Sequence, residues 1–371
     1  MDIANFGVEE WLNHWEKKAV YDIAQSSIEA LTLEELIELD GTSVKDFFEQ
    51  RRQISLDYGW IEGSTEFKEQ VAALYHKVKP QNILQTNGAT GANLLVLYAL
   101  IEPGDHVVSM LPTYQQLYDI PKSLGANVDF IQLKEEENWQ FDVEKLAAAV
   151  KPETKLICLN SANNPTGTLL DRRTLEQVVV IAKKIKAYVL VDEVYAPLTD
   201  TGDFVSIADL YDKGIATNSL SKTYSIPGIR IGWIAANEEL TENFRKYRDY
   251  TMICGGVLSD ELAVHVLKNK EKILDRNKAI ISENLTLLKK WAASESKVAL
   301  VAPNYVSTSF IKLAIEGEDT QFCVELLEET GVLLVPGSAF GLPKHARLGY
   351  CCKKEVLEKG LTLLSSFLAK Y

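Results

Sequence analysis

Short, wholly apolar runs alternate with longer stretches of helical periodicity along most of this chain. Asn82-Ile83-Leu84-Gln85-Thr86 predicts a strand, and Ala92 to Ile101 an apolar helix. Further strands are predicted at His106 to Met110, Val128 to Leu133, Lys155 to Leu159, Tyr188 to Val191, Ile215 to Ser219 and Ile231 to Ala235. Helical stretches such as Arg173 to Ile185 separate several of them. A strand that is apolar throughout is buried on both faces, and intervening helices supply the cover. The expected fold class is therefore α/β, with a large unit built on a mostly parallel sheet flanked by helices.

At the N-terminal end, Trp11 and Trp15 lie four apart, as on one face of a short helix. Thr32-x-x-Glu35 is a capping box that opens a helix carrying Leu33, Leu36 and Ile37. After about Gly256 the pattern changes. A long helical region, Leu258 to Ala292, precedes a strand-like Ser307 to Leu313, a helix from Thr320 to Thr330, a strand Val332 to Val335 and a last helix from Lys353 to Ala369. This predicts a second, smaller α/β layer. No repeat, low-complexity tract or Gly/Ser linker divides the chain, and the acidic run Glu135 to Glu137 reads as a solvated turn.

Composition narrows the function. The chain has 371 residues, enough for a large domain and a smaller companion, and a formal net charge of −13. That sign argues against a nucleic-acid surface, which wants a basic stripe. The cysteines Cys158, Cys254, Cys323, Cys351 and Cys352 form no CxxC pair, the histidines show no HExxH spacing, and no metal site is expected. The first residues, MDIANFGVEEWLNHWEKK, have no apolar core of a signal peptide, and no run reaches the roughly 18 apolar residues of a membrane span. A cytoplasmic protein with no membrane partner is the expectation.

The candidate chemistry sits where the predicted strands end. Thr86-Asn87-Gly88-Ala89-Thr90-Gly91-Ala92 joins a strand to a helix; small residues there let an anion approach free backbone N–H groups. Asp192 closes an apolar run and is followed three residues later by Tyr195. A carboxylate at a buried strand end needs a cationic or hydrogen-bonding partner. Lys222 follows Ser219-Leu220-Ser221, and Arg230 comes eight residues after it. The serine hydroxyls and the planar guanidinium suit a phosphate, and desolvation beside cations lowers a lysine's pKa as an imine-forming amine requires. Together with Asn163-Asn164-Pro165-Thr166-Gly167, these groups suit pyridoxal 5'-phosphate. Lys222 would form the Schiff base, Asp192 would pair with the pyridine nitrogen and Arg230 would meet the phosphate.

A rival reading exists. GATG after a strand is similar to the cofactor loop of short-chain NAD(P) reductases, and Tyr118-x-x-x-Lys122 mimics their catalytic pair. The third glycine of a dinucleotide loop is missing. Pro121 also stands between Tyr118 and Lys122, where a helix should present both on one face.

The motifs resemble those of the class I/II aminotransferase family, fold-type-I pyridoxal-phosphate enzymes, in the family's order from about Tyr58 to Arg347. The resemblance implies an aspartate-aminotransferase-like fold, with residues 1–45 as an N-terminal arm and part of the small domain. Residues 46–256 would form the large cofactor-binding domain and 257–371 the small C-terminal domain. It implies Lys222 as the Schiff-base lysine and proton shuttle, Asp192 on the ring nitrogen, and Tyr195 and Asn164 on the ring oxygen. Ala89, Thr90, Ser219, Ser221 and Arg230 would hold the phosphate, and Tyr114 would stack on the ring. Tyr58 would reach the neighbouring subunit's phosphate in a homodimer with shared active sites. Arg347 would clamp the substrate α-carboxylate, with Asn164 beside it. Many members carry a glycine on the N-terminal arm that helps bind this carboxylate; the corresponding Ala24-Gln25-Ser26-Ser27-Ile28-Glu29 has none.

The implied reaction is transamination between an amino acid and a 2-oxo acid. The same groups serve β- or γ-elimination in carbon–sulfur lyases, ring closure as in aminocyclopropanecarboxylate synthase, or cyclisation of a hydroxylated arginine. A non-catalytic sensor on the same fold is the remaining class.

Overall fold

A computed structural model of the chain describes residues 2–196, 198 and 204–371. Two short strands at the chain's ends of the fold, β1 (Tyr21–Asp22) and β11 (Val332–Leu333), pair in parallel. The main sheet has the order β2-β8-β7-β6-β5-β3-β4. Its strands are β2 (Ile83–Thr86), β3 (His106–Leu111), β4 (Asn127–Gln132), β5 (Thr154–Asn160), β6 (Tyr188–Asp192), β7 (Gly214–Ser219) and β8 (Gly232–Ala235). Strand β8 runs antiparallel to both its neighbours, while all the other pairings are parallel. The central strands β5, β6 and β7 are buried almost throughout, as their unbroken apolar runs predict. Helices including Gly88–Leu100 and Arg172–Ile185 cover the sheet.

A second, antiparallel sheet has the order β12-β13-β10-β9, from β9 (Val298–Leu300), β10 (Thr308–Leu313), β12 (Val335–Pro336) and β13 (His345–Gly349). The expected single strand Val332 to Val335 is two strands. The chain leaves β1 and joins β13 at Leu334, whose carbonyl accepts a hydrogen bond from Trp11 Nε1 at 2.8 Å. The long helical region is likewise two helices, Val257–Lys268 and Lys270–Ser294, meeting at Asn269. Thr32 caps its helix with the reciprocal Glu35 contact.

Pro121 does not prevent a helix. Gln116–Ser123 is helical through it, because only the bond to Leu117 is lost and the buried ring packs inward. Tyr118 and Lys122 therefore do share a face, with Lys122 Nζ 5.0 Å from the Tyr118 ring centre. Lys122 pairs there with Asp119 at 3.4 Å, on the surface and away from any strand end. Among the described residues, no helix is long and apolar enough to cross a membrane.

Candidate active site

The carboxyl ends of β2, β5, β6 and β7 open on one side of the main sheet, the place where open α/β sheets bind ligands. A cavity of about 550 Å³ lies there, closed on the far side by Arg347 of β13 and by the N-terminal helix Gly7–Trp15.

The loop after β2 is already helical. Helix Gly88–Leu100 starts four residues before the expected Ala92, so Ala89 and Thr90 belong to its first turn and line the cavity. Their N–H groups stand at the positive end of the helix dipole. Gly88 has φ +70°, and a Cβ on it would lie 2.7 Å from Arg230 Nη2. A Cβ on Gly232 would lie 2.8 Å from the Ala89 nitrogen. Two glycines thus let a guanidinium and a strand press against a helix N-terminus. Ser219 and Ser221 complete this polar cradle, and the Ser221 N–H is held by Ser219 Oγ at 3.2 Å. Thr90 and Arg230 remain exposed. A phosphate fits such a set of donors.

Asp192 ends β6 and is 2% exposed. Its Oδ2 accepts from Asn93 Nδ2 at 2.7 Å and its Oδ1 from the Val194 N–H at 3.2 Å. Asn93 is fixed in turn by Thr217, whose hydroxyl donates to its Oδ1 at 2.6 Å. Burial raises the Asp192 carboxyl to about 6, against the pull of the Asn93 hydrogen bond. A buried carboxylate facing a cavity and met only by neutral donors suits a protonated ring nitrogen.

Lys222 lies across the cavity, its Nζ 6.0 Å from the centre of the Tyr195 ring. Nζ donates to Ser26 Oγ at 2.7 Å. Burial, with the Arg347 charge second, lowers its ammonium to about 8, and burial pushes the Tyr195 phenol up to about 12. Tyr114 stands in the cavity wall with Phe6 packed on it, ring centres 5.1 Å apart.

Arg347 is fully buried. Its Nε and Nη2 both donate to the Ala24 carbonyl, at 3.2 and 2.9 Å, and its Nη1 reaches Asn164 Oδ1 at 3.4 Å. The Asn164 N–H is held by Asn160 Oδ1 at 2.7 Å. The arm that lacks a glycine is accommodated from the other side: a Cβ on Gly349 would lie 1.5 Å from the Gln25 carbonyl oxygen.

Of the residues expected from the sequence, all but one line this cavity. Tyr58 does not. It is 78% exposed and lies beside a separate cavity of about 420 Å³ with Gly59, Trp60, Gln85 and Asp260. Sequence reasoning missed Asn93, Ser26 and the acidic side chains of the N-terminal helix. Asn93 carried one signal, an amide in the middle of an otherwise apolar helix.

A family model described as "Aminotransferase class I and II" matches residues 7–364. The chain belongs to this family. It is a pyridoxal-phosphate-dependent transferase of the aspartate-aminotransferase-like fold. A pyridoxal-phosphate-dependent aminotransferase from Streptococcus suis is 56% identical and superimposes with a TM-score of 0.97, over 100% of this chain and 99% of that one. Aspartate aminotransferase from Thermotoga maritima is 31% identical over 299 residues, covering 78% of this chain and 76% of the relative. The pyridoxal-phosphate-dependent cyclase OrfR is 26% identical with a TM-score of 0.91, over 100% of this chain and 98% of that one.

Proposed function

We propose that this aminotransferase-family enzyme moves an amino group between an amino acid and a 2-oxo acid. The observation that carries the reading is Lys222 Nζ in one cavity with both Asp192 and the buried Arg347 fork. When bound, pyridoxal phosphate supplies an aldehyde that takes up the amino group and a protonated ring that accepts the electrons of the α-carbon bond. Asp192 pairs with the ring nitrogen and keeps it protonated. Ala89, Thr90, Ser219, Ser221 and Arg230 hold the phosphate, Tyr114 stacks on the ring, and Tyr195 and Asn164 meet the ring oxygen. Arg347 holds the substrate α-carboxylate through the face of its fork not used by Ala24. Lys222 Nζ, whose ammonium burial and the Arg347 charge lower to about 8, would take the proton from the substrate's α-carbon and deliver it to the cofactor's C4′ carbon.

Tyr58 serves a partner's phosphate in this reading. Its exposure, with Leu56 at 78% and Trp60 at 63%, leaves an apolar surface that a second copy would cover. A homodimer in solution, and weaker phosphate binding by Tyr58→Phe, are expected. Residues 46–256 act as the cofactor-binding domain and 257–371, with 1–45, as the smaller one that brings Arg347 and the N-terminal wall to it.

Elimination or cyclisation is the second reading, supported by the likeness to the cyclase over the whole chain. Single turnover separates the two. Pyridoxamine phosphate and a 2-oxo acid released in equal amounts support transamination. Pyruvate with ammonia, or a cyclic amino acid, with the cofactor returned unchanged, would sink it.

A further inference from the structure

The N-terminal helix Gly7–Trp15 is fastened against the fold in one rotation. Val8 and Trp11 are buried on its inner side, and Trp11 Nε1 bonds the Leu334 carbonyl. The Gly7 N–H donates to Gln115 Oε1 at 2.8 Å, and Gln115 Nε2 donates to the Asn5 carbonyl at 2.8 Å. Gly7 itself lies so close to Ala339 that a Cβ would stand 2.7 Å from its carbonyl oxygen.

With the helix held this way, a second stripe faces the cavity. Glu9, Leu12, Asn13 and Glu16 follow at the spacing i, i+3, i+4, i+7, which is one helical face, and all four line the cavity. The charged lining then consists of Lys222, Arg230 and Arg347 against Asp192, Glu9 and Glu16. The three cations and Asp192 each have a use in the reading above. The two glutamates have none. Among the described residues neither makes an ion pair, and Glu16 meets only the side-chain amide of Gln25, at 3.4 Å. Burial, then the neighbouring Asp22 and Glu9, raise the Glu16 carboxyl against the smaller pull of Lys17. Glu9 acts electrostatically on both Lys222 and Arg347, which places its charge within reach of the substrate.

We infer that the side-chain subsite takes an amino acid ending in a cation, an amine or a guanidinium, held by Glu9 and Glu16 while Arg347 holds the α-carboxylate. The inference rests on the amino-acid reading of the site. The same two carboxylates repel the side chains of aspartate and glutamate and the second carboxylate of a dicarboxylic oxo acid. A cavity of about 550 Å³ is in the size range of sites for small ligands.

The test is a titration of the holoenzyme with L-arginine, L-lysine, L-alanine and L-aspartate, following the cofactor's absorbance. Arginine or lysine should bind roughly tenfold more tightly than alanine at low salt, the size that two partly exposed ion pairs supply, and aspartate more weakly than alanine. Added salt should shrink the advantage. Glu9→Gln with Glu16→Gln should bring the arginine-to-alanine ratio close to one, and Glu9→Lys should move the preference towards aspartate. Alanine or aspartate binding as tightly as arginine and lysine overturns the inference and leaves transamination standing. An arginine-to-alanine ratio unmoved by the double variant overturns it as well. A spectrum that no amino acid changes overturns the amino-acid reading and the inference together.

Discussion

Asp192 and Glu193 are neighbours at the end of one strand, equally buried at 2% and 1% exposure, yet they serve opposite faces of the sheet. Asp192 looks into the cavity and meets Asn93, a side chain brought from another helix. Glu193 looks away from it, and its Oε1 accepts from Ser206 Oγ at 3.1 Å and from the Ile207 N–H at 2.8 Å. Its Oε2 is buried with no partner among the described residues. Burial raises both carboxyls, to about 6 for Asp192 and about 8 for Glu193. Equal burial thus marks no function by itself. What separates the two is a free face: Asp192 has open space in front of it, and Glu193 has a returning chain that it ties to the sheet.

The largest expected effect lies in the cavity opposite Asp192. Lys222→Ala should lower turnover by roughly 10⁴-fold or more, since the base that moves the α-proton is gone. It should also make the cofactor-free protein more stable. The Lys222 pKa is about 8 when folded against an ordinary 10.5, so the unfolded chain binds more protons between those values and stability rises with pH across them. At pH 7 nearly the full penalty applies, and removing it is worth on the order of 3 kcal/mol. Urea unfolding at pH 7 and above pH 10 checks the sign; a gain that persists above pH 10 contradicts it. A variant that stays yellow and active contradicts the assignment of Lys222 altogether.

Next come the neighbours themselves. Asp192→Asn should reduce turnover by roughly 10²- to 10³-fold, because an amide cannot hold the ring nitrogen protonated, while stability changes by about 1 kcal/mol or less. Glu193→Gln should leave turnover within about threefold and act on stability instead. With its folded pKa raised, Glu193 contributes fully below the unfolded value of 4.5 and loses stability as pH rises through about 8. The glutamine variant should remove that slope, so that its advantage over the parent protein grows between pH 5 and pH 8. A large loss of turnover in Glu193→Gln, with Asp192→Asn nearly unaffected, would reverse the division between the two faces.

The same contrast explains what could be read without a structure. Asp192 was legible because it closes the apolar run Tyr188 to Val191, and Ser219 and Lys222 because they end or follow the strand read from Ile215 to Ser219; a polar group at the end of a buried strand opens on the sheet's carboxyl edge. Arg230 and Asn164 were legible as spacings from them. Tyr118 and Lys122 show the opposite error: Pro121 was a reason against a helix that exists, since one lost bond in an eight-residue helix is tolerated. The strand carrying Arg347 was not legible as a strand, because its main partner β10 lies more than thirty residues upstream and its nearer partner β12 is only two residues long. Asn93 and Ser26 were missed because their partners are tertiary. Lys222 and Ser26 are 196 residues apart, and no local pattern connects them.

Ser26 supplies the smallest effect and the finest test of how the cavity differs from the sheet's other face. Lys222 donates to its hydroxyl at 2.7 Å, and its backbone is held by Ser307, whose hydroxyl donates to the Ser26 carbonyl at 2.6 Å. Accepting from an ammonium favours the charged lysine, so the hydroxyl works against the burial that lowers the Lys222 pKa. Ser26→Ala should therefore move the acid limb of the pH–turnover profile to lower pH, by roughly half a unit for one partly exposed hydrogen bond. Stability should stay within about 1 kcal/mol, and Ser26→Thr, which keeps the hydroxyl, should restore the limb. A limb that moves to higher pH, or one that threonine fails to restore, would mean that Ser26 only packs against the lysine. In that case the lysine's poise comes from burial and the surrounding charges, Arg347 first among them.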